Sequence, residues 1–413
     1  MTLIKPFRAL RPVPARAVEV LAPPYDVLSS AEARVRASGK PHSFLHVSKP
    51  EIDLADGTDP YSAEVYAKAA ENLKRMVDDG ILMRDHKPCY YAYRLTREGK
   101  SQLGIAAAAS VADYASNRIR RHEFTTPVKE DDRVRQIEAV NAETGPVMIA
   151  YAQAPHIDDL IAGQTNRPPD VDVTADDHVR HEMWVISDDG VIAALTAAFD
   201  ALPAVYIADG HHRSAAAQRV SAARSELQAG AEASHRHFLA VLFPAHQMSI
   251  LDYNRVIRDL NGLEPDELLQ RINTDFRVQP VFDKARRKPT KPGDFAMYLD
   301  GHWYMLTIDK GLIPAGDAVK SLDVSLLADN IIAPLLGITD QRRDKRIDFV
   351  GGARGLDELA RRVDSGEMAV AFALYPTSME QLMAVAEAGE VMPPKSTWFE
   401  PKLADGVVSH VLD

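Results

Sequence analysis

Apolar and polar positions along this chain switch repeatedly between helical and strand spacing. After Asp59-Pro60, apolar residues recur at helical intervals from Tyr61 to about Asp79, and Gly80 supplies the stop. Tyr90 to Arg94 and Gly104 to Ala108 read as two strands around the polar turn Thr96 to Lys100. Further on, Lys129 to Asn141 is a charged helix and Val147 to Tyr151 a buried strand, while the Pro- and Asp-rich stretch 155–178 reads as a long loop. Met183 to Ile186 is a strand, a short helix starts at Val191, Ala204 to Ala208 is a strand, and Ser214 to Leu227 is an Ala-rich helix. Beyond Phe238 the pattern predicts strands at Phe295–Leu299 and Trp303–Thr307, and helices at Ser325–Leu336 and Leu356–Asp364. The basic stretch Lys284 to Pro292 reads as an exposed hairpin loop, and Ala369 to Tyr375, ending at Pro376, as a buried strand. No period of about 20–50 residues recurs.

This order of elements implies a mixed α/β protein of α+β type. It also suggests three units: 1–109, 110–237 and 238–413. A length of 413 residues agrees with more than one core, and 46% hydrophobic with 26% charged residues is ordinary globular composition. The formal net charge of -11 argues against a general nucleic-acid binder, since duplex affinity comes from Lys and Arg neutralising phosphates. The single cysteine, Cys89, excludes an intramolecular disulfide framework and a Cys-based zinc cluster. Met1 to Arg8 has no apolar signal core, and no stretch nears the roughly 20 apolar residues that span a bilayer. A cytoplasmic protein without membrane attachment is expected.

The chemistry concentrates where the strand Ala204–Ala208 runs into Asp209, Gly210, His211, His212 and Arg213 and then a helix. The first amides of a helix lack intrahelical partners and carry partial positive charge, so they attract anions. Gly210 allows a ligand to approach the backbone, and Arg213 can fork onto two phosphate oxygens. A capped helix with exposed histidines is the competing reading. A second cluster, Arg120, Arg121, His122 and Glu123 with Lys129 and Arg133 downstream, offers a general base or a solvated ion network. Pro23-Pro24-Tyr25-Asp26 is a stiff connector whose polar residues can reach a site. In the C-terminal third, Asp340–Arg346 and the proline-bounded Lys395, Ser396 and Thr397 offer surface clusters or a phosphate contact. His178, His181 and Glu182 have helical spacing but no third metal ligand, and no P-loop, dinucleotide fingerprint or nucleophile elbow is present. No metal site is expected from sequence.

The segment Ile207 to Arg213 resembles the Asp-Gly-His-His-Arg signature of free serine kinases built on the ParB/sulfiredoxin-like fold. More broadly, the chain resembles a large bacterial family of unknown function. The shared elements are Pro-Pro-Tyr-Asp-Val (23–27), His-Glu-Phe-Thr (122–125), Lys129, Asp132-Arg133, Trp184, the 209–213 signature, Asn254-Arg255 and Met-Pro-Pro-Lys-Ser-Thr (392–397). The resemblance implies a nucleotide-binding centre over 110–237, with an early strand at Val111–Tyr114 and an insertion at about 152–203. It further implies transfer of a phosphoryl group from ATP or ADP, with Mg2+, to the hydroxyl of serine or a similar small molecule. Glu123 would then be the base, assisted by His122 and Asp209. Gly210, His211, His212, Arg213, Lys129 and Arg133 would hold the nucleotide, and Tyr25, Asp26, Lys395, Ser396 and Thr397 the acceptor. A ParB-like regulatory module or a nucleotide hydrolase is the alternative, and a homodimer is left open.

Overall fold

The structure, a computed structural model, describes residues 2–225 and 233–413. The fold is mixed α/β, and the chain divides into two compact units, Met1–Met248 with Pro401–Asp413, and Ser249–Glu400.

In the first unit a mixed sheet runs in the order Ile119–Arg120, Val205–Asp209, Val147–Tyr151, His237–Pro244, Lys100–Ser110, Tyr90–Arg97, Arg180–Ile186, Val171–Thr174. Ile4–Lys5 also pairs with Lys100–Ser110. The strands at its centre are continuous apolar runs because both faces are covered. Ile105, Ile149, Ile207 and Leu242 pack there against Leu195 and Phe199 of the helix Asp189–Asp200. Gly104 lies so close to Phe243 and the Leu242 carbonyl that a Cβ would clash at 2.2 Å, which keeps the crossing of these strands tight. A smaller sheet joins both ends of the chain. Leu82–Arg84, Ala9–Pro12, Ser409–Val411 and Ala142–Glu143 pair in that order.

The hairpin expected around 96–100 is present, with Glu98 and Gly99 both at positive φ, as a tight two-residue turn demands. The strands at 90–97 and 100–110, which the pattern assigns to an N-terminal unit, lie in the same sheet as the strand that ends at Asp209. Three expectations are corrected here. Val111–Tyr114 is not a strand but the start of the short helix Val111–Ala115. Ser110 caps it by accepting from the Asp113 amide, and the next strand is Ile119–Arg120. The stretch 155–178 is not a long loop. Pro155 starts the helix Pro155–Gly163, whose Ile157 and Ile161 are buried, and Val171–Thr174 is an edge strand with alternating burial. The helix at 214–227 begins earlier, at His211, and its expected end at Leu227 lies outside the described residues.

The second unit is built on a six-stranded antiparallel sheet. Its order is Phe276–Pro280, His302–Ile308, Asp294–Leu299, Val370–Leu374, Tyr253–Ile257, Ile347–Gly351. Its helix Gly355–Asp364 packs Leu359 onto one face beside Val256 and Ala371. Lys284–Pro292 is not a hairpin loop, because the strands on either side of it do not pair. The hairpin is Asp294–Leu299 with His302–Ile308. The helix expected at 325–336 runs from Asp323 to Leu327 and continues as a π-helical turn over Ala328–Ile332.

Candidate active site

The strand Val205–Asp209 pairs with Val147–Tyr151 in normal register up to Ile207, then slips, so that Asp209 lies opposite Met148. Such a bulge bends a strand and re-aims its side chains. Asp209, the last paired residue of the strand, is thereby set at the mouth of the turn. Gly210 follows at φ +98°, and a Cβ there would meet the Arg213 guanidinium at 3.2 Å and the Val147 backbone at 3.3 Å. Conformation and space both require glycine. The helix His211–Ser225 starts at once, with its first amides at the end of the strand.

Arg213 points back under this turn. Its guanidinium donates to the Pro146 carbonyl and to Asp209 Oδ2 at 3.0 Å, and lies 3.5 Å from Asp26 Oδ2. Burial disfavours this cation, yet Asp26, Asp209 and neighbouring Asp405 hold its pKa above the ordinary value. Arg213 therefore joins the Pro23–Val27 connector to the 209–213 turn. Lys402 Nζ is 3.8 Å from Asp209 Oδ2. Burial raises the pKa of Asp209, but Lys402, Arg213 and His211 together keep the carboxylate well below its usual range.

His122 and Glu123 follow the edge strand Ile119–Arg120, which runs parallel to Val205–Asp209, so the strand pairing delivers them to the same turn. The His122 and His211 rings meet edge to face with centroids 4.5 Å apart. The His122 amide approaches His211 Nε2 at 3.5 Å, and His211 Nδ1 lies 3.8 Å from Glu123 Oε2. Burial pushes the His122 imidazole down to about 4, against the opposing effects of the Ile207 carbonyl and Asp209. Burial and the neighbouring His122 likewise hold His211 well below its ordinary value. Both rings are neutral at pH 7. Arg121 lies over the Tyr114 ring at 4.8 Å and Arg120 over Tyr206 at 5.9 Å.

A cleft opens beside His212. His212, Lys129, Arg133, Tyr25 and Asp26 border this cleft of about 290 Å³ together with Tyr61 and Tyr66. His212 Nε2 accepts from the Thr126 amide at 3.2 Å. The Arg133 guanidinium sits 3.9 Å over the Tyr25 ring and pairs with Asp132 at 2.6 Å. Tyr25 and Asp26 thus meet the 209–213 residues, as do His122 and Glu123. Lys395, Ser396 and Thr397 belong to the second unit. There Lys395 is at φ +57°, its carbonyl accepts from Arg255 at 3.0 Å, and Ser396 Oγ donates to the Pro393 carbonyl at 2.6 Å. His181 is no metal ligand candidate with His178. It lies on a strand, hydrogen-bonded to the Tyr93 hydroxyl at 2.7 Å, while Glu182 pairs with Arg94 at 2.8 Å.

Sequence reasoning missed Lys402 and Asp405. Asp405 is 1% exposed, accepts from the Tyr25 amide at 3.2 Å, and has its pKa pushed up to about 7 by burial. Both come from the C-terminal tail, which the Ser409–Val411 strand ties into the first unit. Nothing in their local sequence marks them.

Residues 4–325 match a family described as "Protein of unknown function (DUF1015)". No curated protein matches the chain. Among solved structures, a free serine kinase variant in complex with ADP is 14% identical, with 71% of this chain and 87% of that chain covered at a TM-score of 0.35. SbnI with a C-terminal truncation, from Staphylococcus aureus, is 11% identical, with coverage of 73% and 85% and a TM-score of 0.37. A conserved hypothetical protein from Pyrococcus furiosus is 14% identical, with coverage of 73% and 94% and a TM-score of 0.36.

Proposed function

The chain belongs to the DUF1015 family, and for this member we propose a nucleotide-dependent phosphotransferase that acts on the hydroxyl of serine or a similar small molecule. The observation that carries this reading is the convergence of the bulged strand end, Gly210 and the helix start at His211 with the half-exposed carboxylate of Glu123. Free amides at a helix start suit phosphate oxygens, and Lys402, Lys129 and His212 are the side chains placed to add charge or hydrogen bonds. Arg213 is already engaged by carboxylates, so its part is to set the turn and hold Asp26 beside it. The resemblance of residues 207–213 to the free serine kinase signature, and through it to the ParB/sulfiredoxin-like fold, points the same way. ATP or ADP is the donor on this reading.

Phosphoryl transfer asks for alignment and charge neutralisation more than covalent chemistry. The acceptor oxygen forms a bond to the terminal phosphorus as the bridging oxygen leaves with the shortened nucleotide. The acceptor's proton passes to Glu123. His211 Nε2 faces a backbone N–H, so its ring proton resides on Nδ1, directed at Glu123. This restrains the carboxylate without neutralising it. The oxygen donor at the turn, Asp209, fits the hard Mg2+ ion better than the imidazoles do, and Mg2+ bound with the nucleotide would neutralise phosphate charge. The cleft beside His212, with Tyr25 and Asp26 on its rim, is the acceptor side of this reading.

Incubation with ATP or ADP, Mg2+ and a panel of hydroxyl acceptors including L-serine, followed by phosphorus NMR, tests the proposal. Acceptor-dependent phosphoester formation is expected. Glu123→Gln should lower turnover by about a hundredfold while nucleotide affinity changes little. Nucleotide binding without any acceptor product would favour the regulatory module. A Glu123→Gln protein with normal turnover would remove the base.

A further inference from the structure

His122 is 1% exposed, and neither of its ring nitrogens has a hydrogen-bond partner among the described residues. A buried polar group left unsatisfied is destabilising, so an orphaned imidazole needs an explanation. The Ile207 carbonyl lies near enough to raise the ring's pKa as a weak hydrogen-bond acceptor, but not in the geometry of an ordinary hydrogen bond. What the ring does face is informative. One ligand-type atom each from His122, Glu123 and His211 lies within 4.8 Å of the other two, and His211 is itself 4% exposed.

We propose that His122, Glu123 and His211 form a binding site for one first-row transition-metal dication of the zinc type. Two neutral imidazoles and one carboxylate are the donor set of open zinc sites and of facial-triad iron sites, which leave positions for water or substrate. The same donors are poor for Mg2+ or Ca2+, which prefer oxygen. Ligand atoms in a tetrahedral zinc site are about 3.3–3.4 Å apart for bonds of about 2.0–2.1 Å. The His211 Nδ1 to Glu123 Oε2 distance of 3.8 Å is near this already. The remaining closure is shared by the three side chains, of which Glu123, 39% exposed, is the least buried.

Proton balance sets one condition. His211 Nδ1 carries the ring proton while Nε2 faces the His122 amide at 3.5 Å, the outer limit of a hydrogen bond. Coordination through Nδ1 moves that proton to Nε2 and gives up this long contact. The His122 nitrogen left off the metal, as N–H, has the Ile207 carbonyl for a neighbour, the usual outer partner of a ligating histidine. A metal held here occupies the Glu123 carboxylate, so the metal-bound form is distinct from the form in which Glu123 accepts a proton. The site stands whether or not a nucleotide binds at Gly210.

The test is direct metal binding by the full chain after chelator treatment. Visible absorption during Co2+ titration should show the bands of a low-coordinate site saturating at one equivalent. Zn2+ should displace the Co2+, and millimolar Mg2+ should not. Glu123→Ala, at a half-exposed position that tolerates truncation, should weaken Co2+ binding by at least about tenfold, and His122→Gln likewise. Absence of one-equivalent uptake would overturn the site. So would uptake unaffected by Glu123→Ala, even if His122→Gln fails to fold. Nucleotide affinity, measured separately without metal, tells loss of this site from loss of the phosphotransferase reading.

Discussion

Two buried arginines, one in each unit, are held in different ways. Arg213, in the first unit, is compensated by charge: Asp209 at 3.0 Å and Asp26 at 3.5 Å, with the Pro146 carbonyl completing the set. Arg255, in the second, has no exposed surface, and among the described residues its hydrogen bonds go to backbone carbonyls. It donates to the carbonyls of Tyr253, of Lys395 at 3.0 Å and of Pro394 at 3.2 Å, and its guanidinium lies 5.1 Å over the Phe349 ring. Burial accordingly lowers its pKa to about 10, whereas the carboxylates around Arg213 raise that residue's. Backbone dipoles fix a loop but offer nothing to exchange. Carboxylates that are partly exposed can trade a partner for a ligand. The same residue type is therefore a scaffold in one unit and part of a responsive site in the other.

Truncating the scaffold should have the larger effect. Arg255→Ala leaves three carbonyls without their donor and opens a cavity, so about 4 kcal/mol or more of stability is expected to vanish. Denaturant unfolding measures this, and a loss under about 1 kcal/mol would mean that the guanidinium does not hold the 393–396 loop. Arg213→Ala should cost less, about 2–3 kcal/mol rather than the larger figures for fully buried pairs, because its partners Asp26 and Asp209 are 40% and 31% exposed. Arg213→Lys should recover less than half of that, since one ammonium cannot serve both carboxylates and the Pro146 carbonyl in the planar fork. Full recovery would reduce the Arg213 network to a simple point charge.

A titration sharpens the comparison through pH. Asp405 sits beside Arg213 with a folded-state pKa of about 7, raised by burial above the ordinary value of 3.8. The folded protein holds this proton where the unfolded chain has lost it. Its stabilising contribution is thus complete below about pH 4 and declines as pH rises through 7. Asp405→Asn removes that decline, so the wild-type melting temperature relative to the variant should fall steadily from pH 4 to 7. A flat difference would show that Arg213 keeps Asp405 ionised throughout.

Local signals account for much of what was legible beforehand. The Tyr90–Arg97 and Lys100–Ser110 hairpin, the helix Ala63–Asp78 with Gly80 after it, and the strand–glycine–helix turn at 205–213 follow from periodicity and turn chemistry. These act over a few residues and survive in any context. Ser110 as a cap and Pro155 as a helix start are local signals too, but a resemblance and a Pro- and Asp-rich composition masked them.

The sequence by itself determined that a glycine turn and then a helix follow a buried strand at 204–208, and that charge-bearing residues cluster at 120–133 and 209–213. Tertiary structure alone decided which of them meet. The parallel pairing of Ile119–Arg120 with Val205–Asp209 brings His122 and Glu123 to His211 across almost ninety positions of chain. The register slip at Asp209 and the C-terminal strand at Ser409–Val411, near which Lys402 meets Asp209 and Asp405 lies beside Arg213, depend on partners far away in sequence. A strand's partner and register are set by the whole sheet's burial, not by the few residues on either side, so such contacts leave no local trace.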